Sequence, residues 1–335
     1  MTLIFKRWIQ ASSKHKMVSL LVYYAHGANE LAIVELHFDG DIAQDHQVSL
    51  RTLSKSLGHL QSALDRAYLD IKYGNLWKYA KMHHEYYKDV EMLVQPPREG
   101  GYIIDFFSKK EITKKVVARV SNAINNAISE AQQDGLENAD TISKSLETKR
   151  AQISDDLIEP REYQELLERP DAAVNRRYGD RAIVREIDQM LAVIRSQHSG
   201  DSTLEISLTA DRTQVYEFNR SKANAFHRVV TRKKLGDPVI YRVKVSEMDL
   251  DYLSAKMRNT FNDAVSTLRF ASKEDFQEVF PYFQNQEEMI FLGAPYIEYG
   301  AFDPSCGDVF RVKGFLRKED GQWLELNATR HAICI

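Results

Sequence analysis

The chain has 335 residues, 43% hydrophobic and 28% charged, with a formal net charge of -3. That length suits two domains, and the apolar share supplies a real core, which excludes a chain disordered throughout. The near-neutral balance excludes a bulk positive field, so nucleic acid could be held only by local patches, and two cysteines, Cys306 and Cys334, are too few for a disulfide framework or a cysteine-rich zinc site and point to a reducing cytoplasm.

Lys6, Arg7, Lys14 and Lys16 precede the apolar run Met17–Ala25, which has the outline of a signal peptide. The run is short and has no small-x-small cleavage site, so Val18–Tyr24 is expected to be a buried strand and residues 1–28 an N-terminal extension or strand. Met17 is an alternative start. No stretch reaches the roughly 20 apolar residues of a membrane span, and no membrane partner is expected.

Leu31–Phe38 predicts a strand ending in the turn Asp39-Gly40-Asp41. Leu50, Leu53, Leu57, Leu60, Leu64, Tyr68 and Ile71 recur at steps of three and four, which predicts a helix with one apolar face. Asp89–Val94 and Tyr102–Phe107 predict two strands, separated by Pro96-Pro97 and Gly100-Gly101. Ser108-Lys109-Lys110-Glu111 matches a capping box opening a helix through Ile112, Val116, Val120, Ile124 and Ile128 to Gly135. From Gln132 to Pro170 the apolar content falls, as in a linker with short helical pieces. Asp180 caps a further helix with the stripe Ile183, Ile187, Leu191 and Ile194, ended by Ser199-Gly200.

The remainder is β-rich. Thr203–Thr209 alternates strictly and Val215–Phe218 is its expected partner. Val239–Val245, Met289–Leu292, Val309–Leu316 and Trp323–Leu326 predict further strands, the last two joined at Asp320-Gly321. Ser272 opens a short helix expected to stop before Pro281. The fold class is therefore α+β: an N-terminal sheet with helices on one face, a helical linker, and a small C-terminal β-barrel-like domain of the OB-like or SH3-like kind. The expected domains are 29–135 (α+β), 136–200 (polar linker and helix) and 201–335 (barrel-like).

The common catalytic signatures are missing: no Gly-Lys-Ser/Thr phosphate loop, no G-x-G-x-x-G, no G-x-S-x-G and no H-E-x-x-H. The acid-x-Lys spacing of restriction-type nucleases occurs at Asp70-Ile71-Lys72, on a helix end, and at Glu147-Thr148-Lys149, in the linker, not on strands. His37, Asp39, Asp41, Asp45 and His46 form the densest acid and histidine cluster. Of these, Asp39, Asp41 and His46 are candidate metal ligands, against the plainer alternative of a polar turn. Arg220 and His227, seven apart, resemble the Arg-x4-6-His motif of HEPN-type ribonucleases, in which both serve a scissile phosphate. Ser221 departs from that motif, so both are catalytic candidates only.

Three basic patches stand out. Lys109, Lys110, Lys114, Lys115 and Arg119 crowd a helix start, where positive charge opposes the dipole. Arg169, Arg176, Arg177, Arg181 and Arg185 form an arginine-rich set suited to bidentate recognition of phosphate or carboxylate, interleaved with Asp171, Asp180 and Glu186. Arg228, Arg232, Lys233 and Lys234 precede Gly236. Among many C-terminal aromatics, Tyr296, Tyr299 and Phe302 lie in a loop-like, Gly- and Pro-containing segment and are the expected exposed contacts for unpaired bases.

The segments Glu35–Leu69 and Tyr241–Phe315 together resemble uncharacterised bacterial proteins that pair an α+β domain with a small β-barrel and occur on mobile or phage-related elements. The resemblance implies a role in phage–host conflict and carries over no functional residue. The expected function is a non-catalytic interaction protein, a subunit or sensor of a bacterial defence or phage-encoded system. It would bind a protein, a second copy of itself or a nucleic acid through the basic patches, without a cofactor. The alternatives are a metal-dependent or HEPN-like nuclease and a phage structural or assembly protein.

Overall fold

A computed structural model of the chain describes residues 31–98, 100–133, 142–196, 199–314, 316–319 and 322–325. The N-terminal extension with its Val18–Tyr24 strand, the helix end at Gly135, the turn at Asp320-Gly321 and Cys334 lie outside these residues. In chain order the elements are β1 (Ala32–Asp39), α1 (Leu50–Tyr73), β2 (Leu93–Val94), β3 (Tyr102–Ser108), α2 (Glu111–Gln133), α3 (Ile142–Ser154), β4 (Arg161–Glu162), α4 (Tyr163–Glu168) and α5 (Tyr178–Arg195). There follow β5 (Thr203–Thr209), β6 (Thr213–Phe218), α6 (Arg220–Val230), β7 (Lys233–Leu235), β8 (Val239–Asp249), β9 (Ser254–Asn259), β10 (Val265–Arg269), α7 (Lys273–Asn285), β11 (Glu288–Glu298), β12 (Val309–Lys313) and the hairpin β13 (Leu316–Glu319) with β14 (Gln322–Glu325). Among the described residues no helix is long and apolar enough to cross a membrane.

The chain forms two compact units, each assembled from three stretches: Met1–Lys72, Met82–Ile128 and Glu186–Ala225 in the first, Tyr73–Lys81, Ser129–Arg185 and Phe226–Ile335 in the second. The first unit holds a five-stranded antiparallel sheet in the order β2-β3-β1-β5-β6. Period-two alternation turns Ala32, Val34, Leu36 and Phe38 of β1 into the core, while Ile33, Glu35 and His37 stay half-buried. Register lines Leu36 up with Ile104 on one side and Ile206 on the other, and Ile206 with Tyr216, so one face of the sheet is continuously apolar. Each such side chain taken from water contributes about 1.5–3 kcal/mol.

Helices cover that face. Ser49 caps α1, its hydroxyl accepting from Thr52 N at 3.1 Å. The α1 stripe Leu60, Ala63, Leu64, Ala67 and Tyr68 and the α2 stripe Val116, Val120, Ala123, Ile124 and Ala127 are buried. The Ser121 and Tyr216 hydroxyls, 2.6 Å apart, tie α2 to β6; Arg119 Nε donates to Asp70 Oδ2 at 2.9 Å, tying α2 to α1.

Thr203–Thr209 and Val215–Phe218, expected to open the C-terminal domain, instead lie in strands that complete this N-terminal sheet: β5 pairs with β1, and β6 (Thr213–Phe218) pairs with β5. Alternation fixes that a segment is a strand and which face is apolar, not which strand it joins. The helix after β3 begins at Glu111. Ser108 is buried, and its hydroxyl meets Thr113 Oγ1 at 3.1 Å and accepts from Lys110 N at 3.4 Å rather than from the Glu111 amide of a capping box, so the expected start is two residues early.

The second unit is a closed five-stranded barrel, β8-β9-β10-β12-β11 with β11 returning to β8. Its pairs are antiparallel except β10 with β12. The first strand is thus flanked by the second and fourth, the third runs parallel to the fifth, and α7 lies in sequence between the third and fourth. That is the Greek-key order of oligonucleotide/oligosaccharide-binding (OB) barrels. Tyr163, Tyr241, Val243, Val245, Met257, Leu268, Met289, Phe291 and Val309 share its core. Gly293 is required at the β11 bulge, because a Cβ there would lie 2.4 Å from Val309 Cγ1. β4 and β7 extend the sheet alongside β8 and β11.

The expected linker is part of this unit. Leu146 of α3 is buried with Leu235, Ile240, Leu292 and Val312, and Tyr163 and Leu166 of α4 join the barrel core. Few apolar residues suffice because these short helices are anchored by only one or two buried side chains each. α7 also runs through Pro281 to Asn285, past its expected stop. Ser272 caps its start, its hydroxyl accepting from Asp275 N at 3.1 Å.

Candidate functional site

The outer face of the barrel gathers positive charge by alternation. In β8, Val243 and Val245 point inward and Arg242 and Lys244 are exposed; in β9, Ala255 and Met257 are inward and Lys256 and Arg258 exposed. In β10 the half-buried Val265, Thr267 and Arg269 alternate with buried Ser266 and Leu268. Register sets Lys244 beside Arg258 and Arg258 beside Val265, then Glu247 beside Lys256 and Lys256 beside Thr267. Like charges facing across a ladder, as at Lys244 and Arg258, are unfavourable without a counter-charge. Glu288 of β11 flanks Lys244 on its other side. Lys256 Nζ lies 2.6 Å from Glu247, whose hydrogen bond and charge raise the Lys256 pKa. Arg258 Nη1 donates to Asp263 O at 3.1 Å.

The segment Tyr73–Lys81 belongs to the same unit and is fastened to this face by Lys78. Lys78 N donates to Asp303 Oδ2 at 2.7 Å, its ammonium donates to Thr267 Oγ1 at 3.2 Å, and it pairs with Asp308. Exposed aromatics accompany the cations: Tyr73, Trp77 and Tyr79 on the segment, Tyr252 (79% exposed) in the β8–β9 turn and Phe261 (57%) in the β9–β10 turn. Trp77 packs edge-on against Tyr73 with centroids 5.2 Å apart.

A pocket of about 250 Å³ opens beside Lys78, Thr267 and Arg269 and continues past Arg181, Arg185 and Tyr296. Arg269 Nε and Nη2 donate to Asp308 Oδ2 at 2.8 and 2.6 Å. Burial pushes the Asp308 carboxyl up, but the Lys78 and Arg269 cations outweigh it and hold the pKa below its ordinary value.

The residues singled out in the sequence are distributed unevenly. Of the lysine patch, Lys109, Lys110 and Lys115 are exposed on the first unit, Lys114 lies 3.8 Å from Glu111, and Arg119 is committed to Asp70. Of the arginine set, Arg176 stacks 3.5 Å from the Tyr299 ring centroid and pairs with Glu130. Arg177 donates to Gly74 O at 3.4 Å, and Arg181 pairs with Glu298. Lys233 lies 4.0 Å from Glu298 and 5.4 Å from the Tyr296 ring, and Lys234 is exposed. Arg232 contributes its backbone carbonyl to Tyr299 N at 2.9 Å. Arg181, Lys233 and Tyr296 therefore converge near the pocket.

Tyr299 and Phe302 are not exposed contacts. Tyr299 is 2% exposed, its phenol pushed up to about 12 by burial, and Phe302 sits in the barrel core. Of the glycines and prolines that suggest an open loop, Gly293 and Pro295 lie within β11, and a tight turn follows with Tyr299 at φ 51° and Gly300 at φ 66°.

Arg220 and His227 both lie on α6, about 10 Å apart along its axis at the helical rise. The metal candidates do not assemble. Asp39 Oδ1 accepts from Gly40 N at 2.8 Å, Asp41 Oδ2 from Asp201 N at 3.3 Å, and His46 Nδ1 faces Gly101 O at 3.2 Å. Asp45 and His46 take left-handed backbone (φ 50° and 60°), which splays the cluster. No group of three or more His, Cys, Asp or Glu able to hold a metal occurs among the described residues.

Arg242, Lys244, Lys256, Arg258, Arg269 and Lys78 escaped sequence-based notice. For the first four the signal is the alternation of cation and apolar residue in Tyr241-Arg242-Val243-Lys244-Val245 and Ala255-Lys256-Met257-Arg258. In comparisons with protein-family models, curated proteins and solved structures, nothing matches this chain.

Proposed function

We propose that the chain is a non-catalytic binding protein whose barrel takes a single-stranded nucleic acid across β8, β9 and β10. The observation that carries this reading is the alignment of Lys244, Lys256 and Arg258 on adjacent strands of an OB-ordered barrel, bordered by exposed Tyr252, Phe261, Trp77 and Tyr79. Cations there would track the phosphates, and each base stacked on an aromatic would contribute about 1–3 kcal/mol. A net charge of -3 on the whole chain keeps such binding local. In the setting implied by the resemblance to proteins of mobile elements, this makes the chain a nucleic-acid sensor or subunit in phage–host conflict. Barrel order alone carries no function; the side chains support the reading.

The test is fluorescence anisotropy of the full chain with labelled single-stranded and duplex DNA and RNA across a salt series. Single strands are expected to bind more tightly than duplexes. The slope of log affinity against log salt should fall by about 1.4 in Lys244→Ala/Arg258→Ala, roughly 0.7 for each phosphate that is no longer neutralised. Absence of binding at low salt, or a slope unchanged in the double variant, overturns the reading. Cleavage of the bound strand in the same assay would favour the nuclease alternative.

A further inference from the structure

The pocket beside β10 collects more positive than negative charge. Lys78 and Arg269 share the single carboxylate Asp308, and Arg181 and Lys233 share the single carboxylate Glu298. Asp303 also lines the pocket, but its oxygens are taken by the backbone amides of Lys78, Ser305 and Cys306 and by the Cys306 thiol. Arg185, one helical turn after Arg181 on α5, is exposed, and no carboxylate pairs with it among the described residues. Burial, and then the Arg185 charge, pull the Arg181 pKa below its ordinary value, against the pull of Tyr178 and Asp308. Two guanidiniums crowded in this way are relieved by an anion that bridges them.

Two further walls narrow the choice of anion. The Tyr296 ring is half-buried, with Arg269 5.5 Å and Lys233 5.4 Å from its centroid. Thr267 Oγ1 and the Tyr178 hydroxyl add neutral polar groups to the lining. The volume, about 250 Å³, is below that of most drug-sized sites and suits one small ligand.

We propose that this pocket receives the phosphate monoester of a nucleotide, its phosphate held by Arg185 and Arg181 and its ring against Tyr296. The inference rests on the reading of the barrel as a nucleic-acid binder and names the part of the strand that enters the pocket. A terminal phosphate monoester carries about -1.5 to -2 charge near neutral pH, against -1 for an internal diester. The surplus of cations therefore favours an end over the middle of a chain. A free nucleoside monophosphate presents the same chemistry, and the experiment separates the two sources.

The measurement is titration of the full chain, at fixed low salt, with matched single-stranded oligonucleotides bearing a 5′-phosphate, a 3′-phosphate or hydroxyls at both ends, and separately with AMP and with inorganic phosphate. One phosphorylated oligonucleotide is expected to bind about tenfold more tightly than the hydroxyl form, the scale of one charge-assisted hydrogen bond. That advantage should vanish in Arg185→Ala and reverse in Arg185→Glu. Arg185 is exposed, so both variants should fold, checked by unchanged circular dichroism. Equal binding of all three oligonucleotides overturns the pocket assignment and leaves the barrel reading standing. AMP binding that depends on Arg185, with no oligonucleotide bound, supports the pocket and overturns the barrel reading. Binding of none of these probes overturns both.

Discussion

Arg311 is the severest test of how the barrel is held together. Its side chain is 4% exposed; Nη1 donates to Asp275 Oδ1 at 2.9 Å and Nη2 to Glu278 Oε2 at 2.6 Å. Asp275 also takes Arg150 Nη2 at 2.9 Å, so α3, α7 and β12 meet at one carboxylate. Replacing Arg311 with Met keeps volume and removes the charge. Breaking a buried pair from one side costs about 3–5 kcal/mol, because the remaining ion stays desolvated. Here Arg150 still partners Asp275, and Glu278 is 57% exposed and regains water, so about 3 kcal/mol, the low end, is expected. Replacing Asp275 as well, with Asn, removes the stranded charge, and the double variant should lose less than the two single losses added together. Urea unfolding of parent, both single variants and the double variant measures each value and their coupling. An Arg311→Met variant within about 0.5 kcal/mol of the parent, or strictly additive losses, would refute the account.

Three further outcomes follow from the barrel. Asp308 sits below its ordinary pKa of 3.8, so its contribution is present above that pH and is lost as pH falls through the folded value. Asp308→Asn should cost about 2 kcal/mol at pH 7, and that difference should shrink on acidification below about pH 4, as urea unfolding at both ends of the range will show. Burial and the Asp303 carboxylate push the Cys306 thiol up to about 12, leaving it almost wholly protonated. Iodoacetamide followed by peptide mapping should leave Cys306 unlabelled in the native chain and label it in urea; native labelling would contradict its burial. Gly293→Ala forces a Cβ to 2.4 Å from Val309 Cγ1 and 2.9 Å from Phe291 Cε2, and should cost about 1–3 kcal/mol by overpacking, seen as a lower melting temperature.

What could be read in the sequence depends on how far each signal reaches. The α1 stripe from Leu60 to Tyr68 and the alternation of Leu204, Ile206 and Leu208 are local, and both elements form where that periodicity puts them. The pairing of β5 with β1 joins positions far apart in the chain, and no local pattern encodes it. β9 and β10 escaped notice for a different reason. Their inward positions include Ala255, Asn259 and Ser266, small or polar residues with little hydrophobic signal. A narrow barrel needs such residues beside Tyr241 and Phe291, whose stacked rings, 5.5 Å apart, already fill the interior. The apparent linker misled similarly, since α3 is anchored through Leu146 alone among its buried residues.

The charge patterns show the same limit from the functional side. A run of cations on a helix fans out, because successive residues are turned about 100° from one another, and each then meets whatever packs nearby. Arg119 and Arg181 accordingly end on Asp70 and Glu298, partners remote in sequence, and Arg176, in the loop just ahead of α5, ends on Glu130. Cations spaced by two on a strand all face the same side, and neighbouring strands place them about 5 Å apart. Arg242 and Lys244, then Lys256 and Arg258, never form a contiguous run, yet register gathers them on one surface. For a barrel, alternation across two or three strands is therefore a stronger guide to where cations share one surface than any contiguous cluster. The two kinds of basic residue should also separate experimentally. Neutralising the exposed Lys109, Lys110 and Lys115 should leave the affinity and salt slope for single strands within about twofold and 0.3 of the parent, whereas Lys244→Ala/Arg258→Ala should change both. If the lysine run at the start of α2 moved the salt slope as far as the strand pair does, alternation would lose its claim over contiguity.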